Sequence, residues 1–168
     1  MQTTRSRPIT AEEMEITMRR EMLGWLGAVH FTIEPIPEAN GLFAVLRCSD
    51  TVRLRSGPLV PELKFLVTSP CVLWPRYQVA LDEEFAESLD LVAPDDAALL
   101  AIVTPRDPLE RTTVNLFSPI VVNRHTGMAD QFVPAAAESE VGWQVRTPMP
   151  LPAPDGETEG GPDADPHP

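Results

Sequence analysis

Clustered cations, long apolar runs and metal-spaced ligands are all missing from this sequence. Only 13 Lys and Arg stand against 25 Asp and Glu, a formal net charge of −12. Neutralising a phosphate backbone needs clustered basic residues, so direct nucleic-acid binding is not expected. No apolar run approaches the ~18 residues that suggest a bilayer span. Met1 to Glu21 also lacks the apolar stretch of a secretory signal. These readings predict a cytoplasmic protein that is not inserted in a membrane.

The chemistry-bearing residues are equally sparse. The two cysteines, Cys48 and Cys71, lie in apolar surroundings without CxxC spacing, which predicts buried, reduced thiols rather than a disulfide or metal site. His30, His125 and His167 fall in no HExxH or other ligand spacing. Neither GxSxG nor a phosphate-cradling glycine loop occurs, and Ser56-Gly57-Pro58 reads as a plain turn. With no named nucleophile, no cofactor motif and no metal ligands, the expectation is a protein that is not an enzyme.

Proline and acid are what the chain has in plenty. Nineteen prolines against a single tyrosine mean many chain breaks, which argues against long helices. The 168 residues suit one domain. The last eighteen residues hold Asp155, Glu157, Glu159, Asp163 and Asp165 with no Lys or Arg, so the preceding chain still carries −7. A basic partner suits such a surface. The Pro, Gly and acidic composition of residues 150–168 has almost nothing to bury and predicts a disordered tail behind a domain at 1–149.

From Leu42 onward short β-branched and apolar runs alternate with turn chemistry. Strands are predicted at Leu42 to Arg47, Lys64 to Thr68, Ala98 to Thr104, Thr112 to Phe117, Ile120 to Asn123 and Gln131 to Val133, with FTIEPI after His30 as another. Such spacing favours a sandwich or barrel over parallel βαβ units. One short amphipathic helix is expected at about 82–90. Asp82 caps it, Glu83 and Glu84 suit its positive end, Phe85 and Leu89 pair at i, i+4, and Pro94 forbids extension. Its carboxylates, Asp82, Glu83, Glu84, Glu87 and Asp90, read as a solvated face, or as a docking face for a basic partner. Trp25, Trp74 and Trp143 read as core or rim packing, with interface anchoring as the alternative. The N-terminus supports two readings. Thr10 with Glu13 fits a capping box for a helix through Arg20, yet Met14, Ile16 and Met18 alternate as in a strand.

The stretch from Thr112 to Asn123, TTVNLFSPIVVN, interleaves polar groups with an apolar strand pattern. Alternation puts Val114 and Leu116 on one face and Thr113, Asn115 and Phe117 on the other. If Pro119 only bends the strand, Val121 and Asn123 continue the Asn115 side, whereas an inserted bulge flips the parity. Asn115 and Asn123 would lie ~26 Å apart when extended, too far to share one small ligand. Thr113, Asn115, Phe117, Pro119 and Asn123 are therefore the candidate partner-binding residues. Asn115 reads equally as a satisfied amide, and Asn123, before RHTG, as a turn opener.

The block AIVTPRDPLERTTVNLFSPIVVN, Ala101 to Asn123, resembles the flagellar assembly factor FliW family, whose pattern is an apolar strand, a D-P turn, T-V-N-L, a small residue and P-I-V-hydrophobic-N. The resemblance runs from about Ile16 to Pro148. It includes FLVTSPCVLWPRY at Phe65 to Tyr77, with Ser69 for the usual Asp, the acidic helix at Asp82 to Leu91, and WQVRTP at Trp143 to Pro148. The family's G-L-P-G-F appears as Glu21-Met22-Leu23-Gly24-Trp25. Ala129 and Asp130 stand for its usual Gly and Arg, and Thr51 to Glu62 looks longer than the usual link. The resemblance implies a mainly β, compact, antiparallel barrel-like domain without catalytic activity, with a strand near Glu15 to Met18. It also implies two alternative partners, flagellin and the basic translational repressor CsrA, which the protein would hold off flagellin messenger RNA until flagellin accumulates and displaces it. A divergent paralogue that has lost one partner, and a small barrel enzyme or ligand carrier using Cys48 or Cys71, are the competing readings.

Overall fold

A computed structural model of the chain describes residues 2–4 and 8–150. Apart from Pro150, the tail expected to be disordered lies outside the described residues.

Seven strands follow one another around a closed barrel: β1 (Met14–Met18), β2 (His30–Pro35), β3 (Phe43–Cys48), β4 (Lys64–Thr68), β5 (Ala97–Thr104), β6 (Ile120–Asn123) and β7 (Met128–Gln131). Each pairs antiparallel with the next in sequence. An up-and-down meander of odd strand number leaves its first and last strands pointing the same way, so the closing pair β7–β1 is parallel. The expected barrel is present, and this seam is its one departure from an antiparallel pattern. At the seam the backbones crowd. Thr17 N donates to Gly127 O at 2.9 Å, and a Cβ on Gly127, whose φ is +74°, would stand 2.8 Å from Glu15 O. Only glycine meets both demands there.

The strands form where side-chain alternation gives each face a layer to join. In β3 the residues Ala44, Leu46 and Cys48 turn into the barrel while their neighbours are half-buried. β5 is buried on both faces, which explains its unbroken apolar run. Ala98 and Leu100 enter the barrel core; Leu99, Ala101 and Val103 enter a second core on the outside of the sheet. That outer core is roofed by the segment Tyr77 to Leu91 and by Phe132, with Trp74, Trp143 and Met149 packed against it.

The N-terminal region is a strand, not a helix. Ile16 and Met18 are buried in the barrel, and the hydroxyl of the apparent capping residue serves elsewhere: Thr10 Oγ1 donates to Gly41 O. Tertiary burial outweighs local capping. The run Thr112 to Phe117 yields only a two-residue strand, Thr113–Val114, laid between the end of β5 and Thr147–Pro148. The strand expected at Gln131 to Val133 is β7, three residues earlier. The helix starts as expected. It spans Glu83–Ser88, with Asp82 Oδ1 accepting from Phe85 N at 2.7 Å and Leu89 fully buried beneath it. Two further one-turn helices, Pro70–Leu73 and Glu138–Val141, had no sequence signal. The long link at Thr51 to Glu62 supplies two strands, Val52–Leu54 and Leu59–Val60, of a small three-stranded flap completed by Trp25–Leu26.

Candidate partner-binding surface

The parity read from TTVNLF holds. Val114 and Leu116 are buried, and Thr113, Asn115 and Phe117 are half-buried on the other side. Asn115 N donates to Ile102 O at 2.9 Å, continuing the β5 ladder, while Leu116 N and Phe117 N share Gln144 O. The Asn115 side chain bends back on the chain: Oδ1 accepts from Ser118 N at 3.0 Å and closes the turn that carries Ser118 and Pro119. The parity then flips. Val121 packs in the outer core with Val114 and Leu116, and Ile120 and Val122 enter the barrel. Pro119 sits buried at the flip, its carbonyl accepting from Phe132 N at 2.9 Å.

Asn123 lies on the outer face but far below the surface, 2% exposed. Its Oδ1 accepts from His125 N at 2.9 Å and Thr126 N at 3.2 Å, the turn-opening role read from RHTG. Its Nδ2 donates to Leu89 O at 2.8 Å and Asp90 O at 3.2 Å, which fastens the end of the acidic helix to the barrel. Of the five candidates, then, Thr113, Asn115 and Phe117 reach the surface. Pro119 and Asn123 are buried and position structure.

Two clefts open in the outer layer, each of about 680 Å³. One is lined by Phe117 together with Val79, Phe132, Val141 and Trp143. Its floor is fixed by Tyr77, whose hydroxyl donates to Leu116 O at 2.7 Å and whose ring packs 4.9 Å from that of Trp143. Burial pushes the Tyr77 phenol far above its ordinary pKa, so it stays a donor. Trp143 Nε1 donates to Gln78 O at 3.2 Å, a packed ring with its polar end satisfied. Trp25 packs edge-on to Phe65 against the barrel core.

The other cleft runs between the helix Glu83–Ser88 and the chain leaving β1. Arg19, Arg20, Glu21 and Leu23 form one wall, and Asp82, Glu84, Phe85 and Glu87 the other. Asp130 to Val133 continue the surface between them. The Phe85 and Phe132 rings meet edge-on at 4.9 Å. Asp130, whose side chain is 3% exposed, accepts from Arg20 Nε at 2.8 Å. The residue that replaces a usual arginine is therefore itself neutralised by an arginine from β1's end.

The thiols are poorly placed for chemistry. Cys48 is buried as expected, but Cys71 is half-buried, because its one-turn helix lies on the outside of the sheet. Burial pushes the Cys48 thiol upward, and its polar neighbour is the Asp50 carboxylate at 3.9 Å, not a base. Asp50 spends its oxygens on Val29 N, His30 N and the His30 ring. An activated nucleophile needs the opposite arrangement. Among the described residues no group of three or more His, Cys, Asp or Glu is arranged to hold a metal, and no helix is long and apolar enough to cross a membrane.

Comparison with known proteins agrees with this architecture. A solved crystal structure of the flagellar assembly factor FliW superposes with a TM-score of 0.65 at 24% identity, covering 83% of this chain and 88% of that one. Flagellar assembly factor FliW of Bacillus licheniformis is 34% identical over 122 residues, which is 73% of this chain and 78% of the relative. That of Bacillus subtilis is 33% identical over the same length and shares, and that of Oceanobacillus iheyensis is 34% identical over 110 residues, 66% and 68% of the two chains. The sequence model of the FliW protein family matches residues 1–149. With the barrel, the T-V-N-L turn and the outer acidic helix in place, the chain belongs to the FliW family of flagellar assembly factors.

Proposed function

We propose that this protein is a cytoplasmic, non-enzymatic regulator that binds flagellin as a chaperone and, alternatively, the basic repressor CsrA. The family match over residues 1–149 carries the reading. The net charge of −12 supports a basic partner, since complementary charge speeds encounter and selects against wrong partners. In this reading CsrA held on the protein is kept from flagellin messenger RNA. Rising flagellin takes its place and frees the repressor, and export of flagellin reverses the switch.

The test is a three-way titration of purified protein, CsrA and flagellin followed by calorimetry. The expected result is binding of each partner alone and displacement of CsrA by flagellin. Binding to neither would refute the reading. Binding to one partner only would favour a paralogue that has lost the other, a possibility raised by Glu21 to Trp25, where Leu23 is 60% exposed in place of the family's G-L-P-G-F. Asn115 supplies a second check. Asn115→Ala removes one local turn bond, an expected stability loss of about 1 kcal/mol. A larger fall in affinity for either partner would place the turn at the contact.

A further inference from the structure

We infer that the outward face of the small flap is covered by the chain's own acidic tail, residues 151–168. Register pairs Leu26 with Arg53 and Arg53 with Leu59, so these three side chains form one row across the flap. On the other face Val52 lies in the barrel core and Trp25 and Val60 pack against it, which leaves the row facing solvent. Leu26 is 38% exposed and Leu59 51%. Arg53, and Arg55 in the turn that follows, are exposed too. Among the described residues neither arginine has an ion pair. The carboxylates nearest in sequence are engaged elsewhere, Asp50 with the His30 ring and Glu62 with Arg47 and Lys64. A cationic, apolar face on a chain of net charge −12 fits an acidic segment.

The tail matches that face in charge, in reach and in its point of departure. It carries Asp155, Glu157, Glu159, Asp163 and Asp165 with no Lys or Arg, and it lies beyond the family match at residues 1–149. Pro148 stands opposite Thr113, and Met149 N donates to Thr112 O at 3.1 Å. Thr113 in turn stands opposite Thr104 at the end of β5, and β5 pairs Val103 with Leu66 of β4, next to Phe65. Trp25 of the flap packs on Phe65 at 5.9 Å. The point of departure and the flap therefore share one end of the barrel, with Pro148 three strand spacings, about 14 Å, from β4. Eighteen extended residues span up to about 60 Å, so all five carboxylates come within range. Arg106 and Arg111 stand nearer to Pro148, but Asp107 and Glu110 match them in the same loop, whereas residues 51–61 hold no carboxylate. Exposed ion pairs are individually weak. A tethered segment, however, acts at an effective concentration of order mM, and an outside anion must compete with it.

The test follows the tail amides of Gly156, Gly160 and Gly161 by magnetic resonance in the isotope-labelled full chain at low salt. The parent is compared with Arg53→Gln/Arg55→Gln and with a charge-matched control away from the flap, Arg19→Gln/Arg76→Gln. Raising salt from about 0.01 M to about 1 M shortens the screening length from about 30 Å to about 3 Å and should move these amides to a released position. At low salt the flap variant should carry them at least about halfway to that position, and the control no more than about a tenth of the way. Unmoved amides in β2 and β3 would show that the flap variant keeps its barrel. Conversely, Asp155→Asn/Glu157→Gln/Glu159→Gln should shift Leu26, Arg53 and Leu59 as high salt does. Tail amides that ignore the flap variant, or that answer the control equally, overturn the inference. Shifts that grow with protein concentration would seat the tail on a second copy and overturn it as well.

Discussion

The barrel interior and the layer wrapped around it are held together by different means. Inside, Ile16, Phe31, Leu46, Leu100 and Ile120 meet with apolar contact alone, and the sheet's own ladders satisfy the backbone. Outside, the packing depends on single polar groups that reach across long sequence distances. Tyr77 holds Leu116, Asn123 holds Leu89 and Asp90, Ser118 holds Phe132 O, and Trp143 holds Gln78. The difference teaches which part of the molecule can open clefts. A closed sheet with no free edge resists remodelling, whereas a layer pinned at a few points leaves room for the two clefts, and both lie in it.

The comparison breaks most sharply at β5, where adjacent residues serve opposite faces. Leu100→Ala should cost about 2–5 kcal/mol of global stability in denaturant unfolding. Leu99→Ala, a similar truncation into the outer core, should raise hydrogen exchange at Glu83–Ser88 before it raises exchange in β1 to β4. Equal acceleration everywhere would show that the two layers form one cooperative unit. Next in size is Asn123→Ala, which orphans buried carbonyls and amides and should cost about 2–3 kcal/mol, again with the helix end released first. Tyr77→Phe leaves Leu116 O without its donor and should cost about 1–2 kcal/mol by the same assay.

The smallest effect is acidic. Backbone donation from Ala93 and then the His125 ring hold Asp96 below the ordinary carboxylate range. At Asp50 burial pushes upward, but donation from His30 N, the His30 ring and Val29 N outweighs it, so this carboxyl is also lowered. A lowered folded-state value means that the stabilisation is present above the unfolded pKa and lost as pH falls through the folded one. The part of the stability owed to these two carboxylates should therefore fall as pH drops below about 4. Asp96→Asn and Asp50→Asn should each flatten part of that slope in acid titrations of unfolding. An unchanged slope in both would mean that other carboxylates set it.

How much of this was legible followed from which layer a residue joins. Lys64–Thr68 and Ile120–Asn123 stand where alternation placed them, and Asp82 caps the helix it was read to cap. These are local patterns whose partner is the next strand or the next turn. The closing pair β7–β1 was not legible, since it joins residues more than a hundred positions apart. Nor was the second role of Asn123, whose acceptors lie 34 and 33 positions earlier. The site suffered most. The flip at Pro119 depends on whether Ser118 and Pro119 sit inside the ladder or bulge from it, and composition is the same in both cases.

If the barrel is only scaffold, partners should meet the layer outside it. Amide chemical-shift mapping tests this directly, with isotope-labelled protein titrated by CsrA and then by flagellin. Shifts are expected over Glu83 to Ser88 and Thr113 to Phe117 in the outer layer, with β2 and β3 left quiet. Perturbations confined to the flap of Trp25–Leu26, Val52–Leu54 and Leu59–Val60, with the helix and Thr113 to Phe117 silent, would contradict it.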